Sequence, residues 1–464
     1  MRNTEVLYRI EGSQKVKRTI IICLLLVLVI LFSVDYRLSY LWKVKAPVML
    51  FGGGHVSDDD TNTTKQNSDH WFASRVTSVN GTKLIEQRSI SDEINSIADK
   101  HHVVDVNCAL MFEDNKQAMS EAAALKAKTK EILSDDSYIS AAEDCVSYRA
   151  TRGYVTNSLT QEEERFPIAY SMVVYKDSEM VERLLRSIYR PQNSYCIHVD
   201  MKASESFLKA MSAIVRCFGN VFLSSKRVSV KWGTFSVLEP ELVCMNELWR
   251  YKKWKYFINL TGQEFPLKTN FELVRILKAY NGANNIEGTI LHANEGRWKN
   301  TTPPFGLRPV KGSVHITASR NFVDFILHNA TSQGLLEWVE RVDIPDEAFF
   351  STLNYNPQLG IKGTFKGNPD DNRHFLTRYK IWEGNANCAG KFVREVCILT
   401  IGDLPRLSQA KELFANKFFI KEDRLVISCL EEKLLNTTRD EYLGNTHFND
   451  TLYRNLDFVL NQVA

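Results

Sequence analysis

The chain has nine cysteines but no C-x2-C pair among them, which argues against the common thiolate zinc sites. It has no excess of charge of either sign. The 58 Lys and Arg against 55 Asp and Glu leave a formal +3, which calls for neither nucleic acid nor an acidic partner. It has no internal repeat, which excludes solenoids and propellers. Only one apolar run is long enough to concern a membrane. The rest is ordinary for a globular protein: 464 residues, 44% apolar and 24% charged, enough to build a large core in one large or two medium domains.

The apolar run covers Thr19 to Val34, 16 uncharged residues. As a helix it spans roughly 24 Å, short for a bilayer and better suited to the thinner secretory membranes. Lys15, Lys17 and Arg18 flank it, with Arg2 and Arg9 behind them. The positive-inside rule then makes residues 1–18 a cytosolic tail and 19–34 a transmembrane signal anchor, and exports everything after it. The rival is a cleaved signal peptide, but Asp35 to Trp42 offers no small-x-small site; both readings export the rest. Six N-glycosylation sequons fit export, at Asn62, Asn80, Asn300, Asn329, Asn436 and Asn449. A seventh, Asn259, lies in an apolar run and is expected to be buried and unmodified. Cys23 falls in the span, and the remaining eight cysteines are an even number that an exported domain can pair in 105 ways.

Residues 35–105 read as a flexible lumenal stem. Gly52 to Asn80 is too rich in Gly, Ser, Asp, Asn and Thr to offset its ordering entropy. Residues 106–464 read as one exported α/β domain. Pro167 to Tyr175 predicts a buried strand. Glu179 to Tyr189 predicts a helix with Met180, Leu184, Leu185 and Ile188 on one face. Strands at Tyr195 to Val199, Asn220 to Leu223 and Lys255 to Leu260 alternate with helices at Ser206 to Phe218, Val237 to Arg250 and Phe271 to Tyr280, the last with Asn270 as its cap. Such alternation implies a mostly parallel central sheet, with ligands outside the carboxyl ends of its strands. Asp200 ends one such strand and is either a ligand contact or a loop cap. The run WRYKKWKYF (249–257) interleaves cations and aromatics as single-strand nucleic-acid binders do, but a helix end entering a core strand explains it better.

The segments PIAYSMVVYKDSEMVERLLRSIYRPQNSYCIHVDMKA (167–203), WKYFINLTGQEFPLKTN (254–270), PDEAFF (345–350), VREVCILTIGDL (393–404) and LFANKF (413–418) resemble the core 2/I-branching β-1,6-N-acetylglucosaminyltransferases, glycosyltransferase family 14. The resemblance spans roughly residues 105 to 435. It implies a GT-A-like Rossmann-type α/β fold, a Golgi type II membrane location, a UDP-sugar donor and an O-glycan acceptor on glycoproteins. It also implies the pairs Cys108–Cys429, Cys145–Cys217, Cys196–Cys244 and Cys388–Cys397.

Sugar transfer from a nucleotide needs a base, a stabilised leaving diphosphate and a cleft that orients both substrates. Asp58-Asp59-Asp60 matches the Asp-x-Asp metal motif of many such enzymes, but it sits in the stem and reads as a solvated run. No metal is expected. The resemblance instead assigns the diphosphate to Arg394 and Lys417, a fork and a point charge, and the base to Glu347 beside Asp346. It places Val173, Tyr175, Asp200 and Trp232 at the uridine, and Glu287, Arg297 and Tyr379 at the acceptor. Three features depart from the family pattern. The Trp-x-Tyr acceptor wall reads Tyr379-Lys380-Ile381, the segment between Glu287 and Arg297 is one residue short, and an acceptor-binding lysine has no counterpart. These leave open the acceptor and the donor hexose, including UDP-glucose. An inactive lumenal glycan-binding protein is the non-enzymatic alternative, and it would need neither Glu347 nor the two cations.

Overall fold

The computed structural model describes residues 75–79, 82–86, 89–126, 132–372 and 374–464. The expected anchor, Cys23, Asp58 to Asp60, Asn62 and Asn80 lie outside the described residues. No described helix is long and apolar enough to cross a membrane.

A short hairpin, β1 (Arg75–Val79) and β2 (Thr82–Glu86), comes first. Helix α1 (Ile90–Lys100) follows, inside the segment read as stem. Ser89 caps it, and Ile94, Ile97 and Ala98 give it a buried stripe. That stripe gives the segment apolar area to bury.

The central sheet has six strands. In chain order they are β3 (Ile168–Val174), β4 (Ser194–Val199), β5 (Val221–Leu223), β6 (Tyr256–Thr261), β8 (Asn285–Ile286) and β9 (Ile316–Ser319). The spatial order is β5-β4-β3-β6-β9-β8. The first four run parallel, and β9 runs against its neighbours. Alternation along the strands feeds two cores. Tyr170, Met172, Tyr195, Ile197, Ile258 and Leu260 face one; Ala169, Cys196 and Phe257 face the other. This is the mixed α/β architecture with a mostly parallel sheet that fits a GT-A-like domain.

The crossover helices are α2 (Ser178–Ile188), α3 (Glu205–Val215) and α4 (Glu239–Leu248). Helix α5 (Asn270–Ala279) follows β6. Its cap is Thr269, not Asn270. The Thr269 hydroxyl accepts from Glu272 N at 3.1 Å, and the Glu272 carboxylate accepts from Thr269 N at 2.9 Å, a reciprocal capping box. Asn270 is instead buried and bridges Asn193 and Glu163. In WRYKKWKYF, Trp254 is buried, and Arg320 lies over the rings of Trp249 and Trp254 at 4.0 and 4.2 Å.

Helix α2 departs from the amphipathic expectation, because its charged side is buried as well. The closing helix α7 (Arg424–Tyr442) lies over it. Glu431 of α7 accepts from Arg183 and from Arg186 (2.8 Å), Arg424 pairs with Glu179 at 2.6 Å, and Arg152 pairs with Glu182. The two arginines hold the Glu431 carboxyl down at about 2, against the opposing pull of burial. The structure forms the four disulfides that the resemblance implies; Cys108–Cys429 ties the start of the domain to α7.

A second sheet supports the site. It comprises β7 (Glu264–Pro266), β10 (Arg378–Tyr379) and β13 (Phe414–Asn416) in the order β10-β13-β7. A fully buried ion pair joins it to the main sheet. Arg378 Nε donates to Glu264 at 2.9 Å, and both side chains are wholly excluded from solvent. Arg378 also donates to the carbonyls of Asn259 and Thr377, while Glu264 accepts from Thr261 N and from the Asn416 amide. Asn259 itself is 1% exposed and bridges Val314 O and Ile316 N, so its sequon is closed to modification.

Removing one partner strands a buried charge. Glu264→Ala is expected to lower stability by about 3–5 kcal/mol, read by chemical denaturation of the purified protein. Glu264→Gln, which keeps the shape and some hydrogen bonds, should lose less.

Candidate active site

Strand ends β3 and β4 open one side of a cleft. Val173 is partly exposed near the end of β3, opposite His198 and Thr261. Tyr175 follows it and is half exposed. Asp200 is buried at the end of β4. Its carboxylate accepts from Lys202 N at 2.8 Å and lies 3.5 Å from the Lys202 ammonium, so it orders the turn as well as facing the cleft. Lys202 in turn lies over the Tyr175 ring at 5.9 Å. Trp232 is 72% exposed, an unusual exposure for an indole. Its neighbour Gly233 accepts from Ile344 N at 3.1 Å, which fastens the Trp232 loop three residues before Glu347.

Glu347 ends a single 3-10 turn, Pro345–Glu347, before helix α6 (Phe349–Asn354). The turn separates the two adjacent carboxylates. Asp346 points inward, nine-tenths buried, with Oδ1 unpartnered; burial, then the Glu347 charge, pushes its carboxyl up to about 7. Glu347 is a third exposed and faces two cations, Arg297 at 2.6 Å and Lys311 at 3.8 Å. Glu347 therefore has the accessible, oriented carboxylate that a base requires. Arg297 lies on the turn Glu295–Trp298, whose backbone carbonyl accepts from Asp343 N at 2.9 Å. Lys311 escaped the sequence reading. It is separated from Arg297 by a long loop and reaches Glu347 because Thr289 and Lys311 form a two-residue bridge and the next residue, Gly312, is hydrogen-bonded to the Glu347 backbone. It supplies a second cation beside the Glu347 carboxylate.

Gly312 is the pivot of this corner. Its N–H donates to the Glu347 carbonyl at 2.7 Å. A Cβ there would overlap the Glu287 carbonyl oxygen and the Ser351 hydroxyl, so three chain segments meet where only glycine fits. Glu287 is exposed just past the end of β8.

The cations come from two other elements. Arg394 sits in the two-residue loop between β11 (Phe392–Val393) and β12 (Val396–Cys397). Both loop residues have positive φ, 49° for Arg394 and 63° for Glu395, as a tight hairpin of this length requires. Lys417 follows β13 and donates to Val393 O at 2.7 Å, which draws its ammonium to the base of that hairpin. Burial lowers the Lys417 pKa first, then Arg394 and Lys380 lower it further. Neither Arg394 nor Lys417 has an ion pair among the described residues. Two neighbouring cations without carboxylates make a place for an anion.

Tyr379 is not brought into this group. Its ring packs against the cluster of Ile381, Cys397 and Leu399, and Arg406, Glu412 and Asp403 are the charges it feels. Tyr379 and Ile381 join one apolar cluster, whereas Arg378, beside Tyr379 on β10, turns to Glu264. Among the described residues no group of three or more His, Cys, Asp or Glu side chains is placed to hold a metal ion.

The Core-2/I-Branching enzyme family model matches residues 168–408, which contain the central sheet, Glu347 and Arg394. The chain belongs to this family. It is thereby a glycosyltransferase. It is similar to the human β-1,3-galactosyl-O-glycosyl-glycoprotein β-1,6-N-acetylglucosaminyltransferase, at 36% identity over 363 residues, 71% of this chain and 85% of that protein. A second human enzyme of that name, numbered 3, is 37% identical over 71% of this chain and 82% of its own length. The enzyme of the same name from Bovine herpesvirus 4 is 36% identical over the same shares. Lys417 lies nine residues past the family match, joined to it through Val393.

Two predictions come from this geometry. Gly312→Ala should cost about 1–3 kcal/mol through overpacking and should lower turnover by displacing Glu347, read by thermal melting beside steady-state kinetics. The Cys388–Cys397 bond closes a nine-residue separation around the Arg394 hairpin. Replacing both cysteines by serine should cost about 2–4 kcal/mol of stability, with scanning calorimetry as the readout.

Proposed function

We propose that the protein is an inverting, metal-independent β-1,6-glycosyltransferase. It moves N-acetylglucosamine from UDP-N-acetylglucosamine to the core 1 galactosyl-N-acetylgalactosamine of mucin-type O-glycans. The observation that carries this reading is the presence, within one family domain, of an accessible carboxylate held by Arg297 and two cations without carboxylate partners. The names of the human relatives support the donor sugar and the linkage.

In this reading Glu347 takes the proton of the acceptor hydroxyl as its oxygen attacks the anomeric carbon from the face opposite UDP. The bond from that carbon to the β-phosphate oxygen breaks, and its electron pair leaves with UDP. Arg394 and Lys417 hold the diphosphate, the role a divalent cation takes in other transferases. Trp232 and Tyr175 offer faces on which uracil can stack, and Val173 and Asp200 border the uridine. Glu287, Arg297 and Lys311 line the acceptor side. In this reading the protein is a single-pass type II Golgi membrane protein, anchored through residues 19–34, with its catalytic domain in the lumen and glycans on the exposed sequons.

A panel of UDP-sugars with a core 1 acceptor, followed by linkage analysis, tests the proposal. The expected product is β-1,6-linked N-acetylglucosamine, formed undiminished in excess chelator. Transfer of glucose instead would move the donor assignment to UDP-glucose, and loss of activity on chelation would reject the two-cation clamp as a replacement for metal. Glu347→Gln should keep UDP binding while turnover falls by roughly 10²–10⁴-fold. Wild-type turnover in that variant would remove Glu347 as the base.

A further inference from the structure

The assignment of the diphosphate to Arg394 and Lys417 leaves one neighbouring lysine without a role. Lys176 follows Tyr175 past the end of β3, and the chain then turns into α2 through Asp177, at φ 62°. Lys176 is exposed, with no hydrogen bond and no ion pair among the described residues. What it meets is a ring. The Lys176 ammonium lies 5.8 Å from the centroid of Phe419. The Lys417 ammonium lies 5.8 Å from the same centroid. Whichever sides of the ring they occupy, the two ammonium groups are no more than twice that distance apart, a gap that a pyrophosphate with a hydrogen bond at each end can bridge.

Lys202, the other cation near Tyr175, is committed elsewhere: it lies 3.5 Å from the Asp200 carboxylate and donates to Val230 O. Lys176 has no such partner. A ring face attracts an ammonium but carries no net charge to neutralise it. Two cations at one partly buried ring, drawn from the ends of two different sheets, repel each other until an anion lies between them. The order of contacts says which part of the anion. Tyr175 borders the uridine and is the chain neighbour of Lys176. Lys176 and Lys417 share Phe419, and Lys417 donates to Val393 O at 2.7 Å, at the base of the Arg394 hairpin. In a UDP-sugar the α-phosphate lies between the uridine and the β-phosphate. We propose that Lys176 is a third cation of the donor site and that its ammonium donates a hydrogen bond to the α-phosphate. This rests on the reading of the protein as a UDP-sugar transferase with uridine against Tyr175. No bond to the α-phosphate forms or breaks in the transfer, so the contact is the same in the bound donor and at the transition state. Such a contact tightens donor binding without raising turnover.

The test compares Lys176→Met and Lys176→Arg with the wild type in the full chain, by steady-state kinetics, by inhibition with UDP, UMP and uridine, and by thermal melting. The expected result for Met is a donor KM raised about tenfold with kcat within about threefold. UDP and UMP, which both carry the α-phosphate, should each inhibit about tenfold more weakly, and uridine as well as before. Lys176→Arg should recover most of the affinity, and both variants should melt with the wild type, since the side chain replaced is exposed. Unchanged inhibition by UDP and UMP in the Met variant, weakening of UDP alone, or weakening of uridine by the same factor overturns the assignment while the transferase reading stands. A wild-type protein that does not bind UDP overturns the donor reading, and the role of Lys176 with it.

Discussion

The solvent-free pair of Arg378 and Glu264 is the constraint on which the site depends. Desolvating two charges is costly, and such a pair is tolerated only when the remaining donors and acceptors are also met. Here they are met by backbone and amide groups of Thr261, Asn259, Thr377 and Asn416, which belong to the last strand of the parallel run and to the accessory sheet. The pair thus fixes where β10 and β13 lie against the carboxyl end of β6. Lys380 and Lys417 are each one or two residues beyond a group that the pair holds. Their positions follow from this buried charge more than from any contact of their own.

The other side of the domain uses the same physics for a different end. The charged side of α2 would be solvated in a smaller protein, but here α7 covers it, with Glu431 shared between Arg183 and Arg186. The Cys108–Cys429 bond holds the first folded segment onto that same helix. The first parallel crossover is therefore clamped on its outer side by α7, which the disulfide ties to the segment at Cys108.

Much of the fold was legible in the sequence, because long strands and helices announce themselves by period. The strands and helices from Pro167 to Tyr280 lie within a few residues of their expected places. The shift from Asn270 to Thr269 as cap reflects a choice that only the reciprocal Glu272 bond decides. Helix α1 was hidden because its apolar stripe is brief. The site was less legible. Arg297 and Glu347 are 50 residues apart, and their contact is a tertiary fact. The side to which Tyr379 turns could not be read, since a strand of two residues has no period; its ring joins the cluster of Ile381, Cys397 and Leu399. Lys311 comes through an isolated bridge that leaves no pattern in the chain. The distinction between Asp346 and Glu347 needed the turn itself, which sends one carboxylate inward and the other to solvent.

The hairpin tip that carries Arg394 has a further consequence. Positive φ at two consecutive positions suits Asn-Gly, and side chains such as arginine and glutamate adopt it at a cost of order 1 kcal/mol each. The chain therefore keeps a poorer turn than the backbone would choose, for the sake of one guanidinium at its apex. Directed evolution for heat tolerance would find this loop early, and, on the proposed role of Arg394, a library ranked by melting temperature alone would enrich variants that have exchanged donor binding for a better bend.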